Sequence, residues 1–422
     1  VTRRARAAFA LLLALPGAAR ARGGLDSSFG ARGVVYSTSP FDGAAAGYGV
    51  AEDAEGRVVA AGVVTDSSGT PHVAVWRFRA DGTPDPGFGR GGVAISTETG
   101  WAWGLQLDAR GRALIAGINA VYGKGSTRAV LERFLADGGR DPAFGGGGRV
   151  LLESPGGGVL AEGGAAAAAD PAGGAVVVGQ GSDASRRMRA YAWRLRDDGS
   201  RDPALGPDGA RELAGPGDAA DARVFALRRL ADGGWLAAGT WGWTRLALWR
   251  LARDGSPARG YGAGGVALSD GVGRSIVEDG AGGAWVAGFA YEGAGKTRQE
   301  RAVLARFAAD GSTTAWISLE AVGLRDREAF AVARRPDGGL LAAGYADAGR
   351  YPVRAALWAL SADGEPDRRF GRGGALVLPA SDGGEERIYA LGLDARGRAL
   401  ATGLSRDASG RRRLAVWRFT AR

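Results

Sequence analysis

A short apolar segment that ends in glycine occurs seven times along the chain, as VVAAG, ALIAG, AVVVG, WLAAG, AWVAG, LLAAG and ALATG. The closing residues are Gly62, Gly117, Gly179, Gly239, Gly288, Gly344 and Gly403, at intervals of 49 to 62 residues. A period of this length marks a supersecondary unit that cannot bury its apolar face alone and must stack on its neighbours. The repeat therefore limits the fold more tightly than the 422-residue length does.

The other segments of the unit follow from periodicity and turn residues. Before each apolar segment lies a run with period 2, such as YGVAED, WGLQLD, FALRRL and YALGLD, closed by a turn such as DAEG, DARG or RPDG. A glycine at the fourth position of such a turn accepts the positive φ that a bulged hairpin demands. After a variable polar loop comes a third alternating run, of which VAVWRF, AYAWRL and LALWRL are examples. A DG turn then leads to a fourth run, as in GVAIS and GALVL. These are four strands, A to D, of an antiparallel meander. Unit three, GGAAAAAD, has a helix-forming composition, and the repeat register assigns it to a strand.

The chain stops after the seventh third-strand motif, AVWRF, so the last unit lacks its strand D. A spare strand-D motif, FGARGVVYS, lies at residues 29–37. Two ends that complete each other describe a closed ring, and the fold expected is an all-β, seven-bladed β-propeller closed by its N-terminal strand. Side-chain size agrees. Three residues before each A–B turn stand Val50, Leu105, Ala167, Leu227, Ile276, Val332 and Leu391, and one residue earlier stand Gly49, Gly104, Ala166, Ala226, Ser275, Ala331 and Ala390. Each innermost strand has one bulky and one bare face, as blades stacked around a tight axis require.

The composite L-x-R-F-x-A-D-G-x-x-D-P-x-F-G-x-G-G-x-V, followed by D-x-x-G-R-x-L-x-A-G, resembles the delta-60 repeat of exported bacterial proteins. The resemblance runs from Leu25 to Phe419 and implies propellers without an assigned activity. Units four and five depart from it, with ARGYG in one and STTAWISLE, which has no FG, in the other.

The first residues carry Arg3, Arg4 and Arg6, an apolar run from Ala7 to Leu15, and Ala19-Arg20-Ala21. This order reads as a secretory signal peptide over 1–21, leaving 22–422 as a single domain that is secreted or periplasmic. The apolar run is too short to span a bilayer, so no membrane insertion is expected. With no cysteine, disulfides are excluded. The formal charge of +9 invites a nucleic-acid reading. Four of those charges fall in the leader, however, and the bias to arginine over lysine in an Ala- and Gly-rich chain reflects composition, so no nucleic-acid partner is expected and the chain is read as a monomer.

Chemistry is sparse. Asp81 recurs as Asp137, Asp198, Asp254, Asp310 and Asp363, and Asp85 recurs only as Asp141, Asp202 and Asp367. A calcium loop needs more oxygen ligands from one segment, so these acids read as turn residues and neither metal nor cofactor is expected. The lone histidine, His72, has no nucleophile motif beside it, and no catalytic residue is assigned.

Binding is expected at the variable B–C and D–A loops, which share the face called here the top. The B–C loops are net basic, most of all at Arg411, Arg412 and Arg413, and the D–A loops are net acidic. Trp101, Trp241 and Trp243 offer flat faces for a sugar ring or a protein side chain. Trp103 shares the slot of Tyr48, Phe225, Phe330 and Tyr389 and reads as core. The functional expectation is a binding or scaffold module for a protein or carbohydrate ligand. The alternative is a hydrolase or lyase using carboxylates at an acidic mouth, such as Glu98, Glu385 and Glu386, with a bound cation.

Overall fold

The computed structural model describes residues 23–420 apart from 121–126, 154–165, 171–172, 184, 218–220, 294–298, 322–323, 348–352 and 380–383. It is a seven-bladed β-propeller of four-stranded antiparallel sheets. Six sheets are built from consecutive strands. The seventh joins Glu386–Leu393, Ala399–Arg406 and Arg412–Phe419 to the N-terminal strand Val34–Ser37, in the register Val34↔Trp417 to Ser37↔Leu414. The alanine run of unit three forms the strand Ala166–Ala169, paired with the strand Ala175–Ser182 in the register Ala166↔Val178 to Ala169↔Ala175. Its neighbours supply a partner strand and a packing face, which outweigh the intrinsic preference of alanine for helix.

Bare and bulky faces meet between blades. A Cβ added to Gly49 would lie 2.5 Å from Cβ of Leu105 in the next blade, so only a hydrogen fits there. Further round the ring, the Val332 N–H donates to Ser275 Oγ at 3.2 Å. The strand-C tryptophans Trp76, Trp193, Trp249, Trp358 and Trp417 are all buried. Three of them reach back across the blade boundary, with Trp193, Trp249 and Trp358 donating to the carbonyls of Glu153, Ala214 and Glu320.

The repeated glycine of strand B has a specific cause. In six blades strand A carries a β-bulge opposite it, at Tyr48, Trp103, Phe225, Arg274, Phe330 and Tyr389. A Cβ on Gly62, Gly117, Gly239, Gly288, Gly344 or Gly403 would fall 1.8 to 1.9 Å from a carbonyl oxygen of the bulged strand. The glycine is the space into which the bulge folds.

On the bottom face the recurring acids are explained by hydrogen bonds. Asp81 Oδ1 accepts from the backbone N–H and hydroxyl of Thr83, as an aspartate in a turn does. Asp85 does more. It accepts from Arg77 Nε at 2.7 Å, while the Arg77 guanidinium lies over the Phe88 ring and donates to the Ala136 carbonyl of the next blade. The same clasp recurs as Arg133, Asp141 and Phe144, with Arg133 also binding Asp197 of blade three at 2.8 Å. Backbone latches run alongside, from Gly30, Gly89, Gly145 and Gly262 to the carbonyls of Asp81, Asp137, Asp198 and Asp310.

Ring closure uses this clasp too. Arg418 donates to Asp26 at 2.9 Å and to the Ala80 carbonyl of blade one at 2.6 Å, and Arg398 adds a second ion pair to Asp26. Burial by itself would raise the Asp26 carboxyl. Hydrogen bonds from Ser28 and the charges of Arg418 and Arg398 outweigh it and hold the group at about 2, against an ordinary 3.8. A folded value below the unfolded one means stability that is complete above the ordinary value and lost as pH falls through the folded one, roughly 2 kcal/mol at neutrality. Asp26→Asn should therefore melt several degrees below the parent at pH 7, and the gap should shrink as both are acidified toward pH 2. A gap independent of pH, measured by calorimetry, would assign the loss to packing instead.

Candidate functional site at the top face

The bulges determine what faces the axis. Each displaces one side chain from the alternation of strand A, and these side chains touch from blade to blade. The Arg274 guanidinium lies 4.6 Å from the Phe225 ring and 5.6 Å from that of Phe330. Phe330 meets Tyr389 edge-on at 5.0 Å, Tyr389 stacks on Tyr48 at 5.0 Å, and Tyr48 meets Trp103 at 4.8 Å. Six blades thus contribute to one arc. The slot that reads as core in the sequence is half-buried and lines the axis. Its counterpart in unit three, Ala165, lies outside the described residues.

Carboxylates stand beside the arc, and arginines meet them. Glu328 is 6% exposed and accepts from Arg274 Nε at 2.8 Å. Burial pushes its carboxyl up, Arg274 opposes this, and the charge of Glu300 adds to the rise. The Tyr345 hydroxyl donates to Glu300 at 3.4 Å, and the Arg387 guanidinium lies 4.6 Å from the Tyr345 ring. Glu385 takes Arg387 at 3.1 Å and Arg406 at 2.7 Å, and Glu386 accepts from the Tyr36 hydroxyl at 3.3 Å. Glu98 sits apart, on an ion pair with Arg149 of blade two at 3.3 Å. Among the described residues no three His, Cys, Asp or Glu side chains group as a metal site would. His72 lies 3.8 Å from Asp66 with Phe41 beside it.

The sequence-predicted residues separate. Trp101 stacks on Trp103, with centroids 5.9 Å apart and planes 10° from parallel, and so extends the axial arc. Trp241 ends its strand pointing inward and is buried between blades three and four, its ring against Gly215. Trp243, past a turn at Gly242, is 63% exposed with the Arg223 guanidinium over its face at 4.3 Å. In blade seven Arg411 approaches Asp42 at 3.9 Å, Arg412 is exposed, and Arg413 covers Tyr36 at 3.6 Å. These arginines belong to the axial and N-terminal side, three blades from Trp243.

Sequence reasoning missed Trp316 and Tyr291. They are 44% and 39% exposed and line a cleft of about 480 Å³ between blades four and five, together with Asp270, Glu292, Arg301 and Glu320. Thr244, next to Trp243, lines it as well. Five large apolar or aromatic side chains among the described residues are exposed, and two of them, Tyr291 and Trp316, line this cleft. A signal was present. In unit five the strand-C tryptophan is replaced by Ala305, and Trp316 pairs directly with Ala305 from strand D. Its indole N–H donates to the Asp270 carbonyl of blade four at 3.3 Å, the same cross-blade bond made elsewhere by the buried tryptophans. The indole has moved one strand outward.

One family model, a domain of unknown function (DUF5122) β-propeller, matches residues 54–88. The repeat is that of a β-propeller. No curated protein is significantly similar to the chain in sequence. Among solved structures the chain is similar to a protein of unknown function from Dyadobacter fermentans, at 14% identity over 92% of this chain and 98% of that one, TM-score 0.46. It is similar to a polysaccharide lyase at 9% identity over 89% and 90%, TM-score 0.51, and to a lectin from Burkholderia pseudomallei at 9% identity over 89% and 96%, TM-score 0.48. At such identities the likeness is one of fold, and propellers of one architecture host many functions.

The Arg274–Glu328 pair makes a testable claim about the mouth. Arg274→Gln leaves a buried carboxylate without its counter-charge and should cost about 3–5 kcal/mol at pH 7. Glu328 would then titrate higher still. A raised folded value means stability that is present at low pH and lost as pH rises, so the deficit should narrow toward pH 4 and shrink when Glu328→Gln is added. Urea unfolding followed by tryptophan fluorescence reads both effects.

Proposed function

We propose that the protein is an exported glycan-binding module built of delta-60-type repeats, released from its leader after residue 21 and working outside the cytoplasm. The observation that carries this reading is the pair of exposed aromatic faces, Tyr291 and Trp316, in one top-face cleft that also offers carboxylates. Flat aromatic rings take the apolar face of a sugar while nearby acceptors take its hydroxyls, and a rigid propeller rim spares the ligand most of the cost of ordering its receptor. Glu385, paired with both Arg387 and Arg406, is committed to ion pairs within the protein, which favours a binding reading over one that uses this carboxylate on a substrate.

The purified chain should bind members of an immobilised glycan panel. Trp316→Ala should weaken that binding about tenfold or more with only a small fall in melting temperature, since the loss removes one cross-blade hydrogen bond but leaves no core cavity. Trp241→Ala, by contrast, should lower the melting temperature by removing a buried ring. Retention of full glycan affinity in Trp316→Ala would remove the cleft from the binding site.

A further inference from the structure

We propose that the cleft between blades four and five takes a neutral sugar ring and rejects acidic sugars; this rests on the glycan reading above and names its ligand class. The proposal runs against the bulk charge. A formal +9 would favour a polyanion if overall charge decided the matter. The described lining of the cleft has the opposite character. Its cation, Arg301, is held in an ion pair by Glu292. Two more carboxylates face the same space. Asp270 has an 87% exposed side chain whose contact with Arg245 is a long 3.9 Å, and Glu320 is exposed without an ion-pair partner among the described residues.

Geometry supplies the rest of a sugar site. The Trp316 indole N–H is committed to the Asp270 carbonyl, which fixes the ring and leaves its face for a ligand. Tyr291 is braced edge-on by Phe289 at 5.3 Å and forms a second wall. Ser318 lines the cleft, and its Oγ has no hydrogen-bond partner among the described residues. Free carboxylates accept from neighbouring hydroxyls of a neutral sugar through charge-assisted hydrogen bonds. A uronate would bring a third negative charge beside Asp270 and Glu320, where like charges repel and the groups cannot all be hydrated as they are in water.

The test titrates the whole protein with neutral gluco-, manno-, galacto- and xylo-configured tetrasaccharides and with tetragalacturonate, by calorimetry and tryptophan fluorescence. At least one neutral ligand should bind, with tetragalacturonate about tenfold weaker or worse. The doubly substituted Asp270→Asn, Glu320→Gln protein, whose changes are confined to exposed side chains, should bind the neutral ligand less well and tetragalacturonate better, closing the gap. Tetragalacturonate binding as well as the best neutral ligand, or a gap unchanged in the double variant, overturns the ligand class while leaving glycan binding intact. Binding of no oligosaccharide by the parent protein overturns the glycan reading and this proposal together.

Discussion

Among the described residues, five blades of this ring are tied to the next by a guanidinium at the bottom face, from Arg77, Arg133, Arg194, Arg250 and Arg418. Arg77, Arg133 and Arg418 each lie over an aromatic ring, pair with an aspartate of their own blade's turn, and donate to the C–D turn of the following blade. A planar, permanently charged group is the side chain suited to all three contacts at once, and lysine would make one at a time. Breaking such a buried pair is expensive, whereas the net gain of forming it is small, so the clasp contributes chiefly register and closure. That is what a closed ring needs. Hydrophobic burial between blades is strong and non-directional, and it does not by itself decide which turn docks on which.

The second constraint works nearer the axis. In six blades strand A bulges where strand B has a glycine, and the bulge moves one side chain out of the inter-blade core toward the channel. The bare and bulky faces of strand A can therefore serve packing alone, while the displaced residue is left free to vary. Tyr48, Trp103, Phe225, Arg274, Phe330 and Tyr389 occupy one structural position with four kinds of side chain. A scaffold residue, the glycine, thus creates a site residue fourteen positions earlier in sequence, across the A–B turn.

Most of the architecture was legible because it is periodic. Strand count, order, the N-terminal strand in the last blade and the face that Gly49 and Leu105 share all follow from residues that recur at one register. The clasp was half legible, since Asp85 recurs with Arg77 eight residues before it, but no local rule says that a guanidinium will reach Ala136 in another blade. The bulge was hidden for a different reason. It changes the phase of the alternation by one residue, so Trp103 reads as core when its counterparts face the axis. The Trp-x-Trp at 241–243 misled in the same way, because a strand's alternation sends Trp241 inward while a turn releases Trp243.

The open cleft lies where the repeat lapses, and the two facts have one cause. Unit five has no DPxFG segment, and Arg306 turns instead to Asp279 in its own blade. The neighbouring turn of blade six still presents Gly364, and Ile317 fills that position, its Cδ1 2.3 Å from where a Cβ on Gly364 would stand. Once Ile317 faces blade six, alternation along the strand requires Trp316 to face blade four. There it meets Ala305 in place of the usual strand-C tryptophan, keeps the cross-blade hydrogen bond, and has too little of its own blade above it to be buried. A neutral insertion of apolar surface at an edge strand would ordinarily invite aggregation, and the acids at 270, 292 and 320 around the indole oppose that by charge. On the glycan reading proposed above the same acids would make the exposed ring selective, so the departure from the repeat that frees Trp316 also sets the charge of the site around it.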